Sequence, residues 1–380
     1  MRARRGERAP PYCLMLVRLG LASLLACAAL ARADWDPPAH DPAHLDMTRL
    51  KAMEEEAAAG KFRKIGSVLV ARHGKLVYEK YFDGDASTLR NTRSATKSIT
   101  DILVGLAIED GKLSGVSARV LELLPERRRK MANRDPRKDR ITVEDLLTMS
   151  SALECDDWND ASRGNEERMY LIEDWAQFIL DLPIGGRMHI GEAKETLPYG
   201  RRFSYCTGGA FVLGEIVGKV TGERADRYAQ RRLFGPMGIR AENVRWTYSP
   251  LDGPQTGGGL ELRSRDLLAI GQMWLDGGRW NGRQIVNEAW VKASVTPHAR
   301  ISENTDYGYF WWLQSFKSAN DGVAHPAFFM TGNGGNRVYG FPDLDAAVVV
   351  TSTNYNSRDM HQISERVLTE FVLPALFPER

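Results

Sequence analysis

The sequence predicts an α+β protein in which an antiparallel sheet, built from both ends of the chain and flanked by helices, carries an inserted, mainly helical region. Three observations predict this. Strand-type runs lie between residues 64 and 84, helix-type patterns fill the middle of the chain, and β-branched or aromatic runs return only after residue 326. Strands at both ends with helices between them indicate one sheet assembled from distant segments.

The first strand segment, "IGSVLVARHGKLVYEKYFDG", holds two short apolar runs joined by "RHGK", which is typical of a hairpin. The hydrophobic period then changes from two to that of a helix, because Ile99, Leu103, Leu106 and Ala107 recur at helical spacing. Gly111 ends this pattern. A hairpin followed by a buried helix is therefore predicted.

Further helices are predicted in "TVEDLLTMSS", where Thr142 is a suitable cap, in "DWAQFILDLP", which Pro183 stops, and in "TGGAFVLGEIVGKVTG" and "RADRYAQRRLFGPMG". The late strands are "AFFMTG", "NRVYGFPD" and "AAVVVTSTN". An amphipathic helix, "SRDMHQISERVLTEFVLPALF", closes the pattern.

The first 33 residues are predicted to be a secretory signal peptide. They are basic without lysine, contain the apolar run "LGLASLLACAALA", and end in Ala31-Arg32-Ala33, so we expect cleavage after Ala33 and export to the periplasm. The run is shorter than the roughly 20 residues that a membrane-spanning helix needs. The alternative is a lipoprotein anchored through Cys27.

Length and composition are those of an ordinary globular protein, with 380 residues, 43% hydrophobic and 26% charged. The domain organisation predicted from the patterns is a signal peptide at 1–33, an N-terminal segment at 34–60, a sheet domain formed by 61–93 and 255–380, and a mainly helical region at 94–254 with the active site at the junction. No sequence feature indicates an oligomeric state.

The charge distribution does not favour a nucleic-acid partner. Residues 1–33 contain six Arg and one Glu, so the formal charge of +2 becomes −3 without them. The basic cluster "PERRRKMANRDPRKDR" is interrupted by acids and contains no aromatic residue, which is typical of a solvated surface.

Two cysteines, Cys155 and Cys206, follow the predicted cleavage site. In an exported protein an isolated pair suggests a disulfide, and two buried free thiols are the alternative. A bridge closing a loop of about 50 residues would stabilise the fold by about 4 kcal/mol on the chain-entropy account.

Ser94 and Lys97 lie three residues apart where the first long helix begins, and so share one face of that helix. A serine hydroxyl needs a neighbouring base to become a nucleophile, and the helix N-terminus can stabilise an oxyanion through its N–H groups. The motif S-x-x-K occurs by chance in a chain of this composition, so Ser94 alone could equally be a helix cap.

Other catalytic systems lack their signatures. The sequence contains no G-x-S-x-G and no H-E-x-x-H, and "QTGGGLE" and "TGNGGNR" match neither a phosphate loop nor a dinucleotide fingerprint. We therefore expect no metal and no cofactor. The acidic stretch "CDDWNDASRGNEERMY", with Asp156 and Glu166, is interpreted as a solvated loop rather than as the source of a second base.

Two further elements in the right order give the chain its resemblance to a known family. "FSYCTGG" places Tyr205 where penicillin-binding proteins and class C β-lactamases carry the tyrosine of Y-x-N, and "FMTGNGGNRVYGFPDLDAAVVV" resembles their strand with the K-T-G box. The resemblance spans about residues 60 to 375. It implies the β-lactamase/transpeptidase-like fold, a small-molecule ester, amide or peptide-like substrate, and no cofactor.

The resemblance also implies roles for individual residues. Ser94 would be the acylated nucleophile, Lys97 its base, and Tyr205 the group that passes protons to the leaving group, with a pKa lowered by the nearby lysine. The backbone N–H groups of Ser94 and Asn333 would form the oxyanion hole. The implied substrate-binding residues are Thr207, Met330, Thr331 and Gly332, and a bridge between Cys155 and Cys206 would hold the tyrosine loop.

Two departures bear on the substrate. Thr207 replaces the Asn of Y-x-N, and Met330 replaces the lysine of K-T-G, which removes a charge-assisted contact to a substrate carboxylate. These departures are similar to those of β-lactamase-like esterases and of 6-aminohexanoate-oligomer hydrolases, so an ester or amide hydrolase is expected. The alternatives are a β-lactamase or D,D-peptidase in which Arg337 supplies the cation, and a non-catalytic binding protein of the same fold.

Overall fold

Strands from both ends of the chain meet in one eight-stranded antiparallel sheet in the computed structural model, which describes residues 35–36, 45–185 and 197–376. These residues all belong to the compact unit Ala31–Arg380. The predicted signal peptide, its cleavage site and Cys27 lie outside the described residues. None of the helices in the described part of the chain has the length and apolar character needed to cross a membrane.

The strands are β1 (Ile65–Arg72), β2 (Lys75–Tyr81), β3 (Leu89–Asn91), β4 (Val244–Trp246), β5 (Leu260–Arg263), β6 (Arg279–Trp280), β7 (Arg283–Gln284), β8 (Ala299–Ser302), β9 (Thr305–Tyr307), β10 (Trp312–Lys317), β11 (Ala324–Gly332), β12 (Asn336–Phe341) and β13 (Ala346–Ser352). The main sheet has the order β2-β1-β13-β12-β11-β10-β9-β8. A second sheet has the order β3-β5-β4, and β6 pairs with β7.

The helices are α1 (Met47–Ala58), α2 (Thr96–Glu109), α3 (Val120–Leu123), α4 (Pro125–Lys130), α5 (Val143–Leu147), α6 (Glu166–Met169), α7 (Trp175–Asp181), α8 (Thr207–Thr221), α9 (Ala225–Ala229), α10 (Ser264–Leu275), α11 (Glu288–Ser294), α12 (Met360–Arg366) and α13 (Leu373–Leu376). Two π-helical segments, Gln230–Phe234 and Val367–Val372, extend α9 and join α12 to α13.

The sheet is buried on both faces, as successive residues of β13 show. Val348 and Val350 belong to one hydrophobic cluster, together with residues of α1 and of the C-terminal helices. Ala347 and Val349 belong to the larger cluster, which contains residues of α2, α8 and α10. Successive side chains of a strand point to opposite faces, so each face of the sheet has its own helical layer. The predicted α+β fold is confirmed.

Local sequence accounts for several element boundaries. The predicted hairpin forms β1 and β2, and Thr142 caps α5 through a capping box with Asp145. The prediction that strands return only late was wrong, because β5, β8, β9 and β10 precede residue 327. β8 is the edge strand and β9 lies next to it; both are short, and only two of their seven residues are buried, without clear alternation.

The end of β11 lies directly against the segment that precedes α2. A methyl group built on Gly332 would be 2.0 Å from the carbonyl oxygen of Thr92 and 3.2 Å from Cβ of Arg93. Only a glycine permits this approach of two backbones, so Gly332 fixes the distance between the sheet and the start of α2.

Replacing this glycine should destabilise the junction. For Gly332→Ala we expect the free energy of unfolding to fall by about 2 kcal/mol, because the backbone of Thr92 would have to move. The measurement is equilibrium denaturant unfolding. The matched control is Gly258→Ala, whose added methyl would be 3.9 Å from its nearest neighbour, a backbone carbon of Arg93. Equal stability of the two variants would show that the close approach does not constrain the fold.

Candidate active site

Ser94 lies in a single 3₁₀ turn, Arg93–Ala95, immediately before α2. Arg93 has φ of +50°, and its N–H donates to Asn91 Oδ1 at 3.0 Å. A left-handed residue at this point turns the chain sharply between β3 and the helix. The half-buried serine is thereby placed at the helix N-terminus, as the sequence predicted.

Lys97 is 1% exposed and contacts the serine directly. Its Nζ donates to Ser94 Oγ at 2.9 Å and to the carbonyl oxygen of Gly257 at 2.6 Å. Burial lowers the pKa of Lys97 to about 8, while the carboxylates of Glu166 and Asp157 act in the opposite direction. A substantial fraction of the amine is therefore neutral in mildly alkaline solution and can accept a proton.

Tyr205 lies in the loop just before α8, with its ring next to the lysine. Lys97 Nζ is 4.9 Å from the ring centroid, and the ring of Trp158 stacks on that of Tyr205 with a centroid distance of 5.3 Å and an interplanar angle of 6°. Burial raises the pKa of Tyr205 above its ordinary value, Glu166 and Asp157 add to this, and a hydrogen bond with Ser94 opposes it. The expected lowering of this pKa was wrong, because loss of solvent raises it more than the hydrogen bond with Ser94 lowers it.

A disulfide holds the tyrosine loop. Cys155 and Cys206 are joined, with their Cα atoms 5.4 Å apart, and Cys206 directly follows Tyr205. Ser204 Oγ donates to the carbonyl oxygen of Cys155 at 2.7 Å, and the N–H of Asp157 donates to the carbonyl oxygen of Tyr205 at 2.8 Å. The residues before and after Tyr205 are thus both attached to the 155–157 segment.

The predicted second oxyanion donor, Asn333, follows Gly332 at the end of β11. Its side chain is fixed to Asn356, donating from Nδ2 to Oδ1 at 2.7 Å and accepting from the backbone N–H at 2.9 Å. Because Gly332 touches the Thr92–Arg93 backbone, Asn333 is held beside the segment that carries Ser94. Its role in an oxyanion hole stays a prediction.

The predicted substrate-binding residues lie in different environments. Thr207 begins α8, and its backbone N–H donates to Asp157 Oδ2 at 2.6 Å. Among the described residues, no hydrogen-bond partner is found for Thr331 Oγ1, although this oxygen is buried. Met330 is fully buried in the larger hydrophobic cluster and is paired with Val338 across the strands. Substrate contacts by these residues stay predictions.

Sequence reasoning missed Asp157. Its carboxylate accepts from Glu166 N at 2.8 Å and from Thr207 N at 2.6 Å, and burial together with Glu166 raises its pKa to about 6. The acidic stretch is therefore not the fully solvated loop that was expected. Asp156, the residue singled out from sequence, instead caps its own turn by accepting from Trp158 N at 3.0 Å. No sequence signal distinguishes these two adjacent acids.

An aromatic surface next to Tyr205 was also missed. Trp158 is 58% exposed, and its ring centroid lies 5.6 Å from that of Phe203 and 6.2 Å from that of Trp312. Tyr205 and Trp312 are 6.1 Å apart. Within the part of the chain that the structure describes, no group of three or more His, Cys, Asp or Glu could hold a metal ion.

The fold and the serine–lysine pair define a class of protein, the serine hydrolases related to penicillin-binding proteins. The chain belongs to the beta-lactamase family, whose sequence profile matches residues 50–369. It is 25% identical to the 6-aminohexanoate-dimer hydrolase of Paenarthrobacter ureafaciens over 400 residues, which cover 96% of this chain and 91% of that protein.

Solved structures show the same fold. EstCE1, a hydrolase with promiscuous acyltransferase activity, is 16% identical with a TM-score of 0.64, and the match covers 84% of this chain and 98% of EstCE1. A class C beta-lactamase is 18% identical with a TM-score of 0.59, and the match covers 84% of this chain and 95% of the other. At these identities the likeness establishes the fold alone.

The pKa of Lys97 predicts how labelling of the serine depends on pH. A fluorophosphonate should label Ser94 at a rate that rises about tenfold per pH unit below about pH 7 and levels off above about pH 9, because only the neutral amine accepts a proton. The rate is measured by mass spectrometry of the intact protein. Lys97→Ala is the control and should remove the pH-dependent labelling. A flat profile between pH 6 and 9 would contradict this prediction.

Proposed function

We propose that the protein cleaves an ester or amide bond through an acyl-enzyme on Ser94. The observation that carries the proposal is the 2.9 Å contact between the buried Lys97 Nζ and Ser94 Oγ. When the amine is neutral it takes the hydroxyl proton as Oγ attacks the carbonyl carbon. The negative charge that develops on the substrate oxygen would be stabilised by the N–H groups of Ser94 and Asn333.

Tyr205 acts in the second half of acylation. Because its raised pKa keeps the phenol protonated, it can give a proton to the leaving nitrogen or oxygen as the carbon–heteroatom bond breaks. The resulting phenolate recovers a proton from the Lys97 ammonium, which lies against the ring. In deacylation water attacks the acyl carbon and loses a proton to Tyr205 and Lys97. The same two groups return a proton to Ser94 Oγ as the acyl bond breaks.

The proposed substrates are linear esters and amides. The 6-aminohexanoate-dimer hydrolase from Paenarthrobacter ureafaciens is named for a linear amide, and this chain matches it over nearly its whole length. The exposed ring of Trp158, beside Phe203 and Trp312, offers an apolar surface next to Tyr205. An aliphatic or aromatic group flanking the scissile bond would bury area against this surface.

The structure disfavours the two alternative functions. Met330 is buried, and Arg337, the candidate substitute for the K-T-G lysine, donates to Glu365 at 3.2 Å and lies 4.8 Å from the Phe329 ring centroid. Its charge is therefore already neutralised by a partner. A non-catalytic binding protein, for its part, has no physical need for a buried lysine in contact with Ser94.

The function can be tested with three substrates. We expect the protein to hydrolyse a short-chain p-nitrophenyl ester and linear 6-aminohexanoate dimer, with little cleavage of a chromogenic cephalosporin. Ser94→Ala should lower kcat for the ester about a thousandfold or more, because it removes the nucleophile. Ser87→Ala, a change at an exposed serine nearby, should have no effect.

Other outcomes would favour one of the alternative functions or exclude Ser94. Faster turnover of the cephalosporin than of the ester would favour a β-lactamase or D,D-peptidase. Turnover of none of the three, with no mass added to Ser94, would favour a binding protein. Ester turnover that survives Ser94→Ala would exclude Ser94 as the nucleophile.

We also propose that the protein is exported to the periplasm and loses residues 1–33. The basic, apolar N-terminus supports this, and so does the pairing of Cys155 with Cys206, since oxidising compartments favour disulfides. Protein from a periplasmic fraction should begin at Asp34, and a non-reducing peptide map should contain linked Cys155 and Cys206 peptides. A lipid-modified Cys27 at the N-terminus would instead support the lipoprotein alternative.

A further inference from the structure

Asp157 and Glu166 are two carboxylates near the site that the proposed mechanism does not use. Asp157 lies where α6 and α8 begin, because it accepts from Glu166 N and Thr207 N. Its own backbone N–H donates to the carbonyl oxygen of Tyr205 at 2.8 Å. Two hydrogen bonds thus hold the carboxylate and a third holds the backbone of Asp157, next to the residue that faces Lys97.

Glu166 is connected to Lys97 by a continuous series of hydrogen bonds. Tyr170 Oη donates to Glu166 Oε2 at 3.0 Å, and Gln255 Nε2 donates to Tyr170 Oη at 3.1 Å. Gln255 Oε1 accepts from the N–H of Gly257 at 2.9 Å, and the carbonyl oxygen of the same glycine accepts from Lys97 Nζ at 2.6 Å. These hydrogen bonds fix Lys97 and the Glu166 carboxylate relative to the same loop, residues 255–257.

Within the described residues no carboxylate lies within 4.0 Å of Lys97 Nζ, so the buried ammonium has no direct ion pair. The titratable groups that face it are Asp157, Glu166 and Tyr205, on three different elements, together with Ser94. A buried cation is costly unless negative charge compensates for it. The carboxylates of Asp157 and Glu166 both favour the ammonium form of Lys97.

We infer that Asp157 and Glu166 are positioning residues that together form the counter-charge of Lys97 and so set the pH range in which its amine can accept the Ser94 proton. The inference rests on the proposed function in taking Lys97 as the base. The pair stabilises the ammonium that forms when the neutral amine takes the Ser94 proton, and that proton then passes to Tyr205 after the leaving group departs.

Removing one carboxylate tests this. In the full chain, Glu166→Gln keeps an oxygen that can accept from Tyr170 but removes the charge. Because that charge favours the ammonium form, its loss should move the midpoint of the acid limb, for both fluorophosphonate labelling of Ser94 and kcat/KM of the ester, to lower pH by about half a unit to one unit. At pH 6.5 the labelling rate of Glu166→Gln, expressed as a fraction of its own plateau rate, should be about three- to tenfold higher than that of the unmodified protein.

The matched control is Glu167→Gln, which removes the same charge from the next, exposed residue and should leave the midpoint unmoved. Asp157→Asn should shift the midpoint in the same direction as Glu166→Gln. An unmoved midpoint in Glu166→Gln, or a lower plateau rate alone, would overturn the inference and leave the pair a purely structural role. Absence of Ser94 labelling in the unmodified protein at every pH would instead overturn the proposed function, and the inference with it.

Discussion

The burial of one amine is the constraint on which the rest of this structure depends. Lys97 is almost completely buried, and its ammonium makes two hydrogen bonds, to Ser94 Oγ and to the carbonyl oxygen of Gly257. A buried ionisable group is costly unless hydrogen bonds replace those it made with water. Helix α2 must therefore lie against the loop that leads into β5, although some 160 residues separate them in sequence.

The sheet provides the second half of this arrangement. Its two buried faces fix the position of β11, and Gly332 lets the end of that strand touch the backbone of Thr92. Ser94 thus lies where two elements meet, α2 and β11, which come from segments more than 200 residues apart. The disulfide between Cys155 and Cys206 fixes the tyrosine loop in the same way, at a point where regular secondary structure is absent. Rigid support of this kind keeps reacting groups in register.

The parts of the site that sequence predicted are those that local chemistry determines. Ser94 and Lys97 share one face because of the α-helical period, and Tyr205 was predicted from the resemblance of "FSYCTGG" to the tyrosine element of a known family. The contribution of Asp157 depends on which of two adjacent acids folds inward, and the series from Glu166 through Gln255 joins residues about 90 positions apart. The direction of the Tyr205 pKa shift was missed for a related reason: it depends on burial, which is a property of the assembled core rather than of any motif.

The distribution of charge gives a physical reason for the departure from K-T-G. In this chain Met330 is buried without charge and Arg337 is neutralised by Glu365. The carboxylates of Asp157 and Glu166 both favour the ammonium form of Lys97. A substrate that carries a carboxylate next to the scissile bond would meet like charge without a compensating lysine, and in a partly buried site such repulsion is weakly screened. A substrate that is neutral at this point would avoid that repulsion and could still contact the Trp158 surface. We therefore expect the same charges to disfavour a carboxylate next to the scissile bond, so that one electrostatic arrangement would affect both the Lys97 amine and the selection of substrate.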